Sequence, residues 1–168
     1  IIIIDNNSTD RTKSICLKYK NKCKLIFNPE NYGPAISRNI ALKKASSEYI
    51  VFMDSDDIPT KNYLESRVSK IIKNNAEIVY GSWAPVLIQN NIIKTDNFIR
   101  QSKKTLFPLT MFSLGWILFI PNCIIKKSLL LEVGGYPENY FANDIGLMCK
   151  LILKAKRISY TSKSLLLV

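Results

Sequence analysis

Histidine is absent from this chain of 168 residues, and its four cysteines form no C-x-x-C pair. Zinc fingers, serine–histidine triads and cysteine–histidine mechanisms need the residues that are missing here, so these classes are excluded. Scattered cysteines of this kind are typical of buried thiols in a reducing compartment. Internal repeats and low-complexity linkers are also absent, so we expect one domain over residues 1–168.

Acidic residues are few: 13 Asp and Glu stand against 24 Lys and Arg, which gives a net charge of +11. Such an excess favours anionic partners, including nucleotide phosphates and anionic lipid. The basic residues are spread along the chain without a nucleic-acid-binding motif, so we expect no nucleic-acid partner. We expect a cytoplasmic protein, and peripheral contact with the inner face of an anionic membrane is compatible with this charge.

Long uncharged runs are also rare, and the longest is Thr105–Ile125. Its length is sufficient for a membrane-spanning helix. Pro108, Gly115 and Pro121 interrupt a continuous helix, however. We therefore favour a buried strand with an apolar loop over a transmembrane helix.

Short apolar runs alternate with helical patterns along the chain. We expect strands near residues 1–4, 22–27, 49–53, 77–80, 117–125 and 157–161, and helices near residues 10–21, 34–45, 60–74, 127–133 and 143–155. Val86–Ile88 and Ile92–Ile93 are interpreted as a hairpin around Asn90-Asn91. This alternation predicts a layered α/β fold with a mostly parallel central sheet.

Apolar spacing within the helices predicts which face of each is buried. The expected inward residues of the first three helices are Ile15 and Tyr19, then Ile36, Ile40 and Ala41, then Leu64, Val68, Ile71 and Ile72.

One apolar run ends in a cluster of acids. Tyr49–Met53 has the length of a buried strand, and Asp54, Asp56 and Asp57 follow it directly. Open α/β sheets bind ligands at the carboxyl ends of their strands. Carboxylates this close raise one another's pKa unless a cation joins them, and Mg²⁺ or Mn²⁺ suits such oxygens. The alternative is a polar turn or a helix cap before Pro59.

Four stretches, in this order, resemble the family 2 glycosyltransferases. Ile3–Asp10 resembles the V-D-D-G-S-T-D turn of that family, and residues 28–41 resemble its N-x-x-N-x-G…A-R-N-x-A segment. Glu48–Asp57 resembles its G-E-Y-I-x-F-L-D-S-D-D strand, which carries the D-x-D metal motif. Val133–Tyr136 with Asn143-Asp144 resembles its G-G-F…E-D element. The resemblance implies a GT-A fold, a Rossmann-like three-layer α/β/α domain, with the family's first strand and helix missing from this fragment.

The resemblance also implies an activity: inverting transfer of a sugar from a nucleotide-diphosphate donor, with a UDP-sugar expected. The acceptor would be a hydroxyl of a glycan or a lipid-linked glycan in cell-surface polysaccharide or glycolipid synthesis. It implies that Asp54 and Asp56 hold Mn²⁺ or Mg²⁺, which would bridge the diphosphate oxygens.

The remaining site residues are assigned by the same resemblance. Asp144 is expected to be the base that deprotonates the acceptor, with Gly135 and Asn143 on the acceptor side. The nucleotide-sugar is expected at Asp5, Asn6, Ser8, Arg38 and Asp57. Simpler roles remain open: capping for Asp144 and Asp5, and a salt bridge for Arg38.

The chain departs from the family pattern at four positions, which are Asn6 for Asp, Asn7 for Gly, Ser37 for Ala and Asn143 for Glu. Asn143 cannot take up a proton, and this favours a rival hypothesis, a non-catalytic sugar-nucleotide-binding remnant. A second rival is a sugar-phosphate nucleotidyltransferase, although no glycine-rich nucleotide loop with Lys or Arg is present near residue 1.

Overall fold

The computed structural model of the chain describes residues 1–84, 86–89, 92–95, 120–139 and 143–167. Nine strands are described: β1 Ile2–Asp5, β2 Lys24–Phe27, β3 Tyr49–Ile50, β4 Ile58–Pro59, β5 Ile78–Ala84, β6 Val86–Gln89, β7 Ile92–Thr95, β8 Cys123–Lys126 and β9 Ile158–Leu167. Five α-helices are described: α1 Thr12–Leu17, α2 Gly33–Lys44, α3 Tyr63–Asn74, α4 Lys127–Glu132 and α5 Asn143–Lys154. A 3₁₀ turn, Ile120–Asn122, leads into β8.

Strand pairing divides the described strands into three sheets. Strands β1 and β2 form a parallel pair. The main sheet has the order β3-β8-β5-β9-β4, in which the long β5–β9 pairing is parallel and β8 runs antiparallel between β3 and β5. Strands β6 and β7 form a separate antiparallel pair, which confirms the predicted hairpin pairing.

The predicted α/β class is confirmed, since helices connect the strands of both parallel pairs. The predicted strand over residues 49–53 is shorter in the structure, because only Tyr49 and Ile50 pair with β8. Within Thr105–Ile125, residues 105–119 lie outside the described part, whereas 120–125 form the 3₁₀ turn and most of β8. Among the described residues, no helix combines the length and hydropathy needed to cross a bilayer.

Most of the predicted inward residues of the first three helices lie one position away from the buried ones, although Ile71 is buried as predicted. In α1, Ile15 and Tyr19 are exposed and Cys16 is buried. The buried residues of α2 are Ala35, Ser37, Asn39 and Leu42, and those of α3 are Tyr63, Ser66, Arg67 and Ile71. Polar side chains occupy several of these buried positions. The spacing of the apolar residues alone therefore predicts the neighbouring face of the helix as the buried one.

Arg67 is the largest fully buried side chain of the described residues. Its Nη2 and Nε donate to Oδ1 and to the backbone oxygen of Asn122, at 2.5 and 3.3 Å, and its Nη1 donates to the Tyr63 backbone oxygen at 3.1 Å. The guanidinium lies 3.6 Å from the Tyr63 ring centroid. Asn122 in turn donates to the Gly81 backbone oxygen, so α3 holds the 3₁₀ turn against β5.

The main core lies between the five-stranded sheet and helices α2, α4 and α5. A cleft of about 1220 Å³ opens between β1 and residues 49–55, with α2 along its floor. Asn6, Arg38 and Asp54 line this cleft, so it contains three of the predicted site residues.

Candidate active site

Three consecutive residues of α2, Ser37, Arg38 and Asn39, each contact a different segment of the chain. Ser37 Oγ donates to Asn6 Oδ1 at 2.9 Å and accepts from Asn28 Nδ2 at 3.0 Å. The same Asn6 oxygen accepts from Asn28 Nδ2 and from the Tyr32 backbone N–H. Asn6 therefore ties the loop after β1 to the loop after β2 and to α2.

Arg38 joins two acids that are 90 positions apart in the chain. Its Nη2 contacts Asp54 Oδ1 at 2.5 Å, and its Nη1 lies 3.5 Å from Asp144 Oδ1. Burial lowers the pKa of Arg38, but the nearby Tyr136, Asp54 and Asp144 raise it by more, so the guanidinium stays charged. One cation thus balances two carboxylates that would otherwise repel each other.

Asn39 holds the glycine-rich loop that follows α4. Its Oδ1 accepts from the Tyr136 N–H at 2.8 Å, and its Nδ2 donates to the Tyr136 oxygen at 2.9 Å. A Cβ on Gly135 would lie 2.5 Å from Asn39 Oδ1, and Gly135 has φ +69°. Only glycine suits both the conformation and this close approach.

Tyr136 follows Gly135, one of the two residues that were predicted on the acceptor side. Its ring lies 5.1 Å from the Arg38 guanidinium carbon and 5.1 Å from the Phe52 ring centroid. Burial raises the pKa of the Tyr136 hydroxyl far above its usual value, and the carboxylate of Asp144 raises it further. The hydroxyl therefore stays protonated beside Asp144.

The predicted metal ligands Asp54 and Asp56 lie in one loop, the acid loop, together with Asp57, which was predicted to contact the nucleotide-sugar. Asp54 is bound by Arg38, Asp56 is exposed, and Asp57 Oδ2 is buried without a hydrogen-bond partner. Burial, with the charges of Asp54 and Asp56, raises the pKa of Asp57 to about 6. A cation here would give the Asp57 oxygen a partner and would reduce the repulsion among the three carboxylates.

Within the described residues, no three carboxylate or cysteine side chains converge on a point that could hold a metal ion. Mg²⁺ sites are commonly completed by one or two carboxylates together with substrate phosphates. The acid loop therefore fits a cation that is held jointly with a diphosphate.

Three predicted nucleotide-sugar residues lie at the end of β1: Asp5 is its last residue, and Asn6 and Ser8 are in the loop that follows. Asp5 is 6% exposed, and one of its carboxylate oxygens accepts from the Ser8 backbone N–H at 3.3 Å. Its other oxygen, Oδ1, is buried without a partner. Asn7 has φ +64°, a conformation that Asn tolerates and that the family's glycine adopts freely. Asp5 is thus available to a hydrogen-bond donor of a ligand.

The structure therefore brings Arg38, Asp54 and Asp144 together, and it ties Asn6 to the same helix through Ser37. Asn143 begins α5 next to Asp144 and is half-buried. The sequence interpretation missed Asn39 and Tyr136, although both stand inside the matched segments beside Arg38 and Gly135. The sequence could have indicated them only by their position, because each follows a residue to which a role had been assigned.

The fold is that of a GT-A glycosyltransferase domain, and solved structures share this architecture. Staphylococcus aureus TarS in complex with UDP-GlcNAc is 26% identical, with a TM-score of 0.78 over 99% of this chain and 49% of that chain. The mannosyltransferase PcManGT of Pyrobaculum calidifontis, in complex with GDP-Man and Mn²⁺, shares the fold at 19% identity, with a TM-score of 0.70 over 99% of this chain and 46% of that chain.

The chain belongs to glycosyl transferase family 2, whose family model matches residues 1–133. One curated relative is the Escherichia coli UDP-Glc:alpha-D-GlcNAc-diphosphoundecaprenol beta-1,3-glucosyltransferase WfgD. It is 38% identical over 106 residues, which are 62% of this chain and 41% of the relative. The chain spans about half the length, or less, of these relatives.

Proposed function

We propose that the protein is an inverting, metal-dependent glycosyltransferase that moves a sugar from a UDP-sugar to a hydroxyl of a glycan or lipid-linked acceptor. The observation that carries the proposal is Arg38, which contacts Asp54 at 2.5 Å and approaches Asp144 to 3.5 Å. A candidate donor-side acid and a candidate base thus contact the same guanidinium. Family membership favours this activity over a nucleotidyltransferase.

The donor would be held between the loop after β1 and the acid loop. The unpartnered oxygen of Asp5 would accept a hydrogen bond from the nucleotide. Asp56, with Asp54 and Asp57 beside it, would hold Mn²⁺ or Mg²⁺ at the diphosphate. The bound cation would supply charge stabilisation to the leaving diphosphate. The UDP-GlcNAc complex of TarS supports this class of donor.

Asp144 would act on the acceptor. In one displacement, the acceptor oxygen forms a bond to the anomeric carbon, the bond to the diphosphate breaks, and the acceptor proton passes to the Asp144 carboxylate. The carboxylate is partly exposed, so an acceptor hydroxyl can reach it. Asn39 positions the loop of Gly135 and Tyr136, which forms one wall beside Asp144.

The proposed acceptor class is supported by the name of one relative. WfgD is named for a diphosphoundecaprenol-linked sugar, which supports a lipid-linked acceptor. We therefore propose that the protein works in cell-surface polysaccharide or glycolipid synthesis, in the cytoplasm and at the inner face of the membrane.

Calorimetric titration of UDP, with and without Mn²⁺, tests the donor site. We expect binding that requires the metal and that Asp56→Ala abolishes. Asp144→Asn should retain this binding while transfer from UDP-glucose or UDP-GlcNAc falls about 10²–10⁴-fold, the usual contribution of a general base. Glu132→Gln, an exposed acid on α4, is the matched control and should change neither measurement.

Each part of the proposal has an outcome that contradicts it. Loss of UDP binding in Asp144→Asn, or undiminished transfer, would contradict the base assignment. UDP binding without any transfer in the unsubstituted protein would favour the non-catalytic remnant.

A further inference from the structure

Residues 11–24, called here the basic segment, form a positively charged surface outside the candidate site. It carries six basic residues and no acidic one: Arg11, Lys13, Lys18, Lys20, Lys22 and Lys24. The whole chain carries 24 basic residues among 168, one in seven, so two would be expected in a segment of this length. The segment is therefore about three times as rich in basic residues as the chain average.

The charge of the basic segment is open to solvent. All six basic side chains are exposed, and none of them forms an ion pair with a described residue. The nearest acid in sequence, Asp10, accepts a hydrogen bond from the Thr12 backbone N–H at 2.9 Å. The positive charge of this surface is thus left for an external anion.

Three large apolar side chains are exposed among these cations. Ile15, Leu17 and Tyr19 are 50%, 45% and 49% exposed. Charge alone suits any polyanion, whereas charge combined with exposed aliphatic and aromatic groups suits the interface of an anionic bilayer. Tyrosine is favoured at the headgroup level, and lysine stems can lie along apolar surface while their ammonium groups contact phosphates.

The surface is also held in a defined shape. Buried Cys16 anchors α1 on the β1–β2 pair. Backbone hydrogen bonds continue past the helix, from Tyr19 N to Cys16 O at 2.9 Å and from Cys23 N to Tyr19 O at 3.0 Å. Little conformational freedom remains to be lost on docking.

We propose that the basic segment docks on an anionic lipid bilayer, with Ile15 and Tyr19, four positions apart and on the same side of α1 and the turn after it, at the headgroup boundary and the lysines on lipid phosphates. This rests on the proposed location at the inner face of the membrane and deepens it by naming the surface that docks, and it depends on none of the residues of the proposed transfer site. Its partner is the membrane surface itself, a source of anionic charge and apolar volume together.

Vesicle co-sedimentation of the full chain tests the proposal at about 0.1 M salt, where charges more than roughly 10 Å apart are screened. The probes are vesicles of phosphatidylcholine alone and of an equal mixture with phosphatidylglycerol. We expect binding to the mixed vesicles only. Lys18→Glu, Lys20→Glu and Lys22→Glu together should weaken it at least about tenfold, since each basic residue near an anionic surface contributes roughly fivefold.

Two further variants separate this surface from general charge. Lys43→Glu, Lys73→Glu and Lys156→Glu together change the net charge equally at exposed positions elsewhere, and binding should stay within about twofold because distant charges are screened. Ile15→Ser with Tyr19→Ser keeps every charge and should also weaken binding severalfold. Circular dichroism checks that each variant is folded.

Several results would overturn the bilayer assignment. One is equal binding to both kinds of vesicle, and another is an equal loss of vesicle binding in the two lysine triples. A third is full vesicle binding by the Ile15→Ser and Tyr19→Ser variant together with an equal affinity of the protein for a duplex oligonucleotide, which would show that the segment binds any polyanion. The UDP–Mn²⁺ titration on the same samples keeps the two proposals apart. Vesicle binding without UDP binding would contradict the proposed transfer reaction alone. UDP binding without vesicle binding would contradict the docking surface and the membrane location, and it would leave the transfer reaction standing.

Discussion

Helices α2 and α3 have the same length, 12 residues, but they use their faces in different ways. The apolar pattern of α3 is the stronger one, yet it leaves Leu64, Val68 and Ile72 exposed at 56%, 41% and 77%. Helix α2 has little apolar pattern and buries Ser37 and Asn39. In both helices, therefore, polar side chains that form hydrogen bonds occupy part of the inward face.

The two helices also differ in what their buried polar groups hold. In α3, Arg67 fixes the 3₁₀ turn against β5, so its role is in the packing of the main sheet. In α2, the three residues Ser37, Arg38 and Asn39 fix loops that carry candidate site residues. We therefore expect substitutions in α3 to change stability, and substitutions in α2 to change the site.

The largest effect is expected for Arg67→Met. The substitution keeps the length of the side chain but removes the guanidinium donors of the two buried Asn122 oxygens, whereas the Tyr63 oxygen still accepts from Ser66 Oγ. At about 1–3 kcal/mol for each oxygen left without its donor, we expect a cost of about 2–6 kcal/mol in the free energy of unfolding. Urea denaturation measures this cost. Lys73→Met on the exposed side of the same helix should change it by less than about 0.5 kcal/mol. Similar midpoints for both variants would contradict the role of Arg67.

A smaller loss of stability is expected for Asn39→Ala in α2. It leaves the buried N–H and oxygen of Tyr136 unpaired, which costs about 1–3 kcal/mol. Unlike Arg67→Met, it should lower sugar transfer while the UDP titration at saturating Mn²⁺ is unchanged, because the loop it holds lies on the acceptor side. If Asn39→Ala and Arg67→Met lower transfer in the same proportion to their loss of stability, the assignment of a site role to α2 and a stability role to α3 is wrong.

The smallest effect is expected for Ile72→Ala, which removes an exposed side chain. We expect a change within about 0.5 kcal/mol, as for most surface substitutions. The neighbouring Ile71 is 8% exposed, and Ile71→Ala should cost about 2–4 kcal/mol. Thermal unfolding of the two variants side by side measures the difference. A larger loss for Ile72→Ala would show that the exposed face of α3 is covered.

Much of the fold was predictable because strands and helices alternate and turn residues separate them. The order of the described helices and of every described strand except β4, the hairpin pairing of Val86–Ile88 with Ile92–Ile93, and the end of α4 shortly before Gly134-Gly135 all followed from local chemistry. The inward faces did not, because Asn39 and Arg67 are polar residues in core positions. Hydrophobicity does not register a polar side chain whose partners lie far away in sequence.

The candidate site was predictable to a similar extent. Asp54 could be named because it directly follows an apolar run, whereas Arg38 and Asp144 were named through the resemblance of their segments to the family 2 glycosyltransferases. That Arg38 contacts both acids could not be foreseen, because Asp54 and Asp144 meet only through tertiary packing. Tyr136 was missed for the same reason: its ring lies beside Arg38 only once Asn39 has bound its backbone.

Successive residues of a helix point about 100° apart, so Ser37, Arg38 and Asn39 reach three separate directions from one turn of backbone. A single residue inserted in α2 ahead of Ser37 would rotate all three at once, and the attachments to Asn6, Asp54 and Tyr136 would be lost in one step. The alignment of donor and acceptor sides thus depends on the rotational phase of one short helix, and natural variation in length should be tolerated in the loops around α2 far better than within it.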